Sequence, residues 1–381
     1  MFWIEDWERF KEELPHQKKP YSKRNWGNKL HSLCSYQGKL KPSIAHYLVK
    51  IFVPEEGTIL DPFSGAGTIS LEAALQGKKS YAFDLSPVAY VVTKAKLEAT
   101  SAKNTSEVIS NLENFLEKNE PTDKELTEAK EFGFNSNIAE YYHEDTLDEV
   151  LIARRFFSQK DELDASTAFV MACTLHILHG NRPYALSRRS HPMTPYAPKG
   201  NFEYRPLIPR LKDKVKRSLP EEDITNPTFF KPVFREGITY KLDSTEWWPY
   251  EVDNLDAIIT SPPFFDSTRF YMFNWLRIWF AGWSPSDFKD KPAHFIDERQ
   301  ENSFEVYENI IRQSRERLKE KGVLVFHLGK SNKCDMAENI LRIAKPWFSN
   351  YDILDEDVTH TEKHGIKDKG TVTSHEYLIL Y

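Results

Sequence analysis

Eleven residues, Thr58 to Thr68 (TILDPFSGAGT), constrain the fold of this chain more than any other stretch. Thr58, Ile59 and Leu60 read as a short buried strand with Asp61 at its carboxyl end. Pro62, Phe63, Ser64, Gly65, Ala66 and Gly67 then make a tight loop, and Thr68 leads into a helix carried by Ile69, Leu71, Ala73, Ala74 and Leu75. A strand, a glycine loop and a helix N-terminus together let a ligand come close to backbone.

The pattern repeats once downstream. Ser80 to Phe83 reads as a second strand ending at Asp84 and Leu85, and Ser86-Pro87 opens a helix to about Ala99. Strands alternating with helices at this spacing predict a parallel α/β sheet. The strand pattern then stops. From Ser101 to Gly180 only helical periodicity appears, over Val108 to Leu116, Ile138 to Ile152 and Ala165 to Leu178, and Arg182 to Pro232 is irregular apart from a basic helix over Leu207 to Leu219. It resumes at Ile238 to Leu242, which ends at Asp243, and at Ala257 to Thr260, which runs into Ser261-Pro262-Pro263-Phe264. An aromatic helix over Tyr271 to Phe280, a helix over Phe304 to Leu318, a strand at Val323 to Phe326 and a helix over Met336 to Ala344 follow. Tyr351 to Val358 and Val372 to Leu380 are expected to pair as a terminal antiparallel hairpin. At 381 residues the chain exceeds one core's usual size. The expected organisation is an N-terminal helix and basic arm (1–29), an α/β domain (30–100 plus 237–381), and a helical, basic insertion (101–236).

The loop itself excludes phosphate ligands. A Walker loop needs Gly-Lys-Ser/Thr, and here Gly67-Thr68-Ile69 carries no lysine. The dinucleotide GxGxxG fails as well, because Ser70 stands where the third glycine belongs. Asp61 repels a pyrophosphate but accepts hydrogen bonds from a cationic amino group. Asp84 is placed to take both hydroxyls of a ribose, and Asp243 the amino group of an adenine. A ligand with an ammonium, a ribose and no phosphate is S-adenosylmethionine (SAM).

Ser261-Pro262-Pro263-Phe264 fits the receiving end of a methyl transfer. The lone pair of a nucleobase's exocyclic amine is delocalised into the ring, so attack is favoured where both N–H protons find acceptors. Ser261 Oγ and the Pro262 carbonyl supply two, the prolines hold them preorganised, and Phe264 offers a face for an extruded base.

DPFSGAGT and TSPPF, with the strands between them, resemble motifs I and IV of the SAM-dependent DNA amino-methyltransferases. Asp84, followed by Leu85, matches that family's acidic motif II residue. His31 to Pro42 (HSLCSYQGKLKP), with Tyr36 inside it, looks like motif X, which closes over the methionine part of SAM. The resemblance covers roughly half the chain. It implies a Rossmann-like class I methyltransferase fold, SAM as cofactor, double-stranded DNA as partner and, in some relatives, a cognate restriction endonuclease. Ser at the head of the motif is commoner in N4-cytosine enzymes, and Asn or Asp in N6-adenine ones. Cytosine N4 is therefore expected, with adenine N6, an RNA base such as guanine N2 of tRNA, or a non-catalytic SAM- or DNA-binding module as alternatives.

The insertion departs from the family's usual arrangement because it precedes Asp243. The net charge of −6 rules out a general nucleic-acid coat, but ten basic residues between Arg182 and Arg217 face only Glu203 and Asp213. Arg188, Arg189 and Arg205 are the expected DNA contacts. Between Leu14 and Lys41 seven further basic residues stand with no acid.

Other clusters carry less. His176 and His179 lack acidic or cysteine partners and read as core histidines. His360, Glu362 and His364 lack the HExxH order of a zincin. Cys173 lacks the Pro-Cys of C5-cytosine enzymes. Cys34, Cys173 and Cys334 show no CxxC, the N-terminus is acidic and amphipathic, and no apolar run spans a bilayer. A cytoplasmic protein without membrane contact or metal is expected.

Overall fold

A computed structural model of the chain describes residues 1–23, 26–160, 162–219, 235–265, 269–357 and 372–381. His360, Glu362 and His364 lie outside the described residues.

Seven strands form one sheet: β1 (Thr58–Asp61), β2 (Lys79–Asp84), β3 (Ile238–Lys241), β4 (Leu255–Thr260), β5 (Leu318–Ser331), β6 (Tyr351–Asp357) and β7 (Val372–Leu380). Their order across the sheet is β3-β2-β1-β4-β5-β7-β6. The first five are parallel, and β7 runs antiparallel between β5 and β6. The expected terminal hairpin therefore forms, but its second strand lies inside the sheet. β5 is also longer than its apolar run, because β7 pairs with it out to Ser331.

Strand periodicity divides the core. Ile59, Ala257, Ile259, Val323, Val325, Tyr377 and Ile379 point to one face and pack with the helix Pro42–Phe52 and with Trp3, Trp7 and Phe10 of the helix Ile4–Glu13. Their neighbours Leu60, Ile258, Leu324, Phe326, Leu378 and Leu380 point to the other, against the helices Glu308–Arg317 and Met336–Ala344. Alternation of this kind is what a sheet covered on both faces demands. The N-terminal helix is pinned to β6, where Trp7 Nε1 and Lys11 Nζ both donate to Asp352 Oδ2, at 2.8 and 2.7 Å.

The inserted helices make a third layer. Ala102–Lys118, Glu144–Ser158, Ala165–Ile177 and Leu207–Ser218 share one apolar cluster with the helix Pro87–Leu97 and with Trp275–Phe280. The helix Asp123–Glu131 is a member the apolar pattern does not reveal, because its sequence DKELTEAKE is nearly all polar. His176 stacks on Tyr184 and His179 Nδ1 is 3.0 Å from the His191 carbonyl oxygen, both inside this layer. All three cysteines are buried thiols. Among the described residues no helix is long and apolar enough to cross a membrane.

Candidate functional site

From β1 the chain steps outward through β2 to β3, then crosses back so that β4 lies on the other side of β1. The carboxyl ends of β1 and β4 diverge at that reversal, which is where open α/β sheets bind ligands. Two hydrogen bonds to one oxygen close its floor: Thr260 Oγ1 donates to Asp61 Oδ1 at 2.7 Å, and the Phe63 amide donates to the same oxygen at 3.2 Å. Above it opens a cavity of about 730 Å³, within the range of small-molecule sites.

Most of the expected residues meet here. Tyr36, Phe63, Gly65, Asp84, Leu85 and Asp243 line the cavity together with Ser261, Pro262, Pro263 and Phe264. Asp84 takes the Gly65 amide on one oxygen and the Ser86 amide on the other, each at 2.8 Å. This fixes the glycine loop against the end of β2. Gly65 is left-handed (φ +50°), and a Cβ there would sit 3.5 Å from the Tyr36 ring. Gly67 (φ +65°) lies so close to Thr93 that a Cβ would come within 2.7 Å of its hydroxyl. Within this stretch Asp61, Pro62, Ser64, Gly67 and Thr68 are buried behind the cavity wall, to which only Phe63 and Gly65 contribute. Asp243 is steadied at its first oxygen by the Thr245 amide and hydroxyl, and at its second by Arg299 at 3.4 Å.

Burial marks the two central carboxyls. Desolvation raises Asp61 to about 7 against the help of Thr260 and Phe63, and raises Asp84 to about 6 against its two backbone donors. Both folded-state values lie above the unfolded carboxylate value, so each group favours folding at low pH, and that stability is lost as pH rises from about 4 through 6 to 7. A cationic ligand that prefers the ionised form reverses the sign. The SAM-induced increase in Tm is therefore expected to grow between pH 5 and pH 7.5, as differential scanning fluorimetry with and without SAM will show; an increase independent of pH would detach these carboxyls from the ligand.

The Ser261-Pro262-Pro263-Phe264 segment is held as firmly. The Pro263 carbonyl accepts from Gln300 Nε2 at 3.0 Å, and Gln300 is itself fixed by the buried Tyr307 hydroxyl at 2.8 Å. Ser261 Oγ lies 3.0 Å from His327 Nδ1 on β5. The Phe264 ring rests over Gly329, where a Cβ would come within 2.5 Å of the ring, and meets His327 and His375 at 5.6 and 5.7 Å between centroids. A Gly329→Ala variant is expected to push Phe264 aside and cut turnover about tenfold with an unchanged circular dichroism spectrum.

Several wall residues escaped the motif reading. Phe270 packs on Tyr36 at 4.9 Å, and the buried Asp297 accepts its amide at 2.9 Å. His327 carried a visible signal, one polar residue inside the apolar run VLVFHLG. Asp297 and Gln300 carried none.

The three arginines expected to meet DNA divide. Arg188 donates to the carbonyls of Gly200 and Glu140 and lies over Phe202 at 4.1 Å. Arg205 donates to the carbonyls of Ala185 and Ser187. Both brace the inserted segment internally, whereas Arg189 is exposed.

The strand order, with a seventh strand reversed between the fifth and sixth, decides the fold. It is that of the class I SAM-dependent methyltransferases. A family model described as UPF0020, RMKL-like, methyltransferase domain matches residues 31–130, the segment that carries Tyr36, the glycine loop and Asp84. The chain is similar to the type II methyltransferase M.MjaII of Methanocaldococcus jannaschii at 24% identity over 115 residues, 30% of this chain and 19% of that protein. The match thus spans about a fifth of the relative's length. Among solved structures, an rRNA methyltransferase of Streptomyces viridochromogenes aligns at 11% identity and a TM-score of 0.37, covering 95% of this chain and 93% of its own. An rRNA methylase of Streptococcus thermophilus aligns at 8% identity and 0.34, over 90% and 97%. Scores this low leave the fold to rest on the strand order.

The cofactor is S-adenosylmethionine. The residues present fit it: two carboxylates face the cavity from the ends of β2 and β3, and aromatic rings of Tyr36, Phe63 and Phe270 suit a sulfonium cation. Asp84 would hold the ribose, Asp243 the adenine amine, and the Tyr36 segment the methionine end. When bound, SAM supplies an activated methyl group, so the protein needs no covalent nucleophile.

Proposed function

We propose that the chain transfers the methyl of SAM to the exocyclic N4 amine of a cytosine flipped out of double-stranded DNA. The observation that carries this reading is that Ser261, Pro262 and Phe264 open onto the same cavity as Gly65, Asp84 and Asp243. Ser261 Oγ and the Pro262 carbonyl accept the amine's two N–H groups and direct its lone pair toward the methyl, while Phe264 stacks on the base. Cys173, buried outside the cavity lining and with its thiol raised to about 12 by burial, suits no attack on a cytosine ring. Adenine N6 presents the same two protons and is the nearest alternative acceptor.

A second reading has one observation in its favour. The family model that matches residues 31–130 is described as RMKL-like, and M.MjaII is the relative that points instead to a type II modification enzyme. An RNA base amine would fit the same grip. Incubating the full chain with methyl-labelled SAM and either genomic DNA, tRNA or rRNA, then digesting to nucleosides, separates these readings. Label in N4-methylcytosine from DNA supports the proposal and label in N6-methyladenine corrects the base. Label confined to RNA transfers the reading to RNA, and label in 5-methylcytosine overturns it.

A further inference from the structure

His327 is a residue that no motif assigns. It is 3% exposed, stands in the apolar middle of β5, and has one ring nitrogen 3.0 Å from Ser261 Oγ while the other, Nε2, is enclosed with no hydrogen-bond partner among the described residues. We infer that His327 positions the Ser261 hydroxyl: a bare Nδ1 accepts the hydroxyl proton, and the Oγ lone pairs are left facing the target amine. The inference rests on the proposed amine methylation for its chemical purpose.

The argument is one of donor and acceptor inventory. A serine hydroxyl carries one proton and two lone pairs. In the opposite tautomer the ring would donate to Oγ, and the hydroxyl proton would turn into the cavity against the N–H groups it has to receive. A protonated ring would do the same. The groups facing the ring oppose its charging. His375 on β7 lies 4.8 Å away between centroids, Tyr377 on the same strand 5.1 Å, and Phe264 covers another side. Glu356 on β6, whose charge favours protonation of the ring, is already engaged by His16, Gln17 and Tyr377. Burial first and His375 second hold His327 well below the ordinary histidine value, so the ring is neutral at physiological pH. The Phe264, His375 and Tyr377 rings surround the imidazole, and an N–H to ring contact would recover part of the cost of the Nε2–H left over.

The tautomer is directly measurable. In the full chain labelled with ¹⁵N-histidine, with the His327 signals identified by their loss in a H327N variant, the expected result at pH 7.5 is a protonated Nε2 and a bare Nδ1. A ring protonated at Nδ1, or at both nitrogens, would overturn the inference. Turnover supplies an independent reading. H327L is expected to lose about 10²-fold in single-turnover methylation, whereas H327N, whose amide oxygen also accepts the serine proton, stays within about tenfold. SAM affinity should be unchanged within about twofold in both. Full turnover in H327L, or equal loss in both variants, would count against positioning. Because the tautomer is read without nucleic acid, it stands or falls separately from the choice of DNA or RNA, and it remains decisive even if H327L does not fold.

Discussion

A Ser261→Ala variant is expected to bind SAM as the parent does and to lose methyl transfer by about 10²-fold. The hydroxyl is 3.0 Å from His327 and contacts none of the residues that hold the glycine loop, so its removal leaves the cofactor cradle intact. In the proposed chemistry, what disappears is one of two acceptors for the target amine. The loss also leaves a buried imidazole nitrogen unpaired, which should lower stability by about 1–3 kcal/mol. Single-turnover assays with labelled SAM, calorimetric SAM titration and denaturant unfolding separate the three effects. Undiminished turnover would remove Ser261 from the mechanism.

The second large effect is expected from Asp84→Ala, which should weaken SAM about 10²-fold or more. The carboxylate fixes the amides of Gly65 and Ser86, each at 2.8 Å, and in the proposed reading its remaining lone pairs would take the ribose. Hydrogen bonds to a charged group contribute about 1.5–3 kcal/mol each, and losing two corresponds to about a hundredfold or more in affinity. Asp84→Asn keeps one oxygen and should lose less. Its binding should also cease to weaken below pH 6, since the group that charges near that value is gone. Calorimetry across pH 5 to 8 tests both variants, and an Asp84→Ala protein with parental affinity would place the ribose elsewhere.

What the sequence made legible was local. The glycine loop, Asp84, Ser261-Pro262-Pro263-Phe264 and the helices beginning at Pro42 and Pro87 are written in consecutive residues whose backbone needs are specific. The strand pattern also showed where the sheet resumes after the insertion, but not that the fourth strand crosses back to the far side of the first. Long-range pairings were not legible. Nothing in Thr260 foretells that it meets Asp61, 199 residues away in sequence, or that β7 inserts beside β5 and extends it to Ser331. The helix Asp123–Glu131 was missed for a different reason. It buries only Ala129, so the apolar period is absent, yet Thr122 and Glu125 form a full capping box that the sequence does display. The arginines show the limit of composition. A basic segment identifies a charge, but the carbonyls that Arg188 and Arg205 meet are brought to them by the fold.

The hydrogen bond from Thr260 to Asp61 ties the end of β1, which leads into the glycine loop, to the end of β4, which leads into Ser261-Pro262-Pro263-Phe264. A carboxylate shared in this way makes the two half-sites partners in one equilibrium. Any ligand that shifts the proton on Asp61 alters the anchor beneath Ser261, and linkage then requires the exchange to be mutual: the factor by which cofactor changes affinity for nucleic acid is the factor by which nucleic acid changes affinity for cofactor. A Thr260→Val protein, with each half-site otherwise whole, would bind the two ligands as strangers.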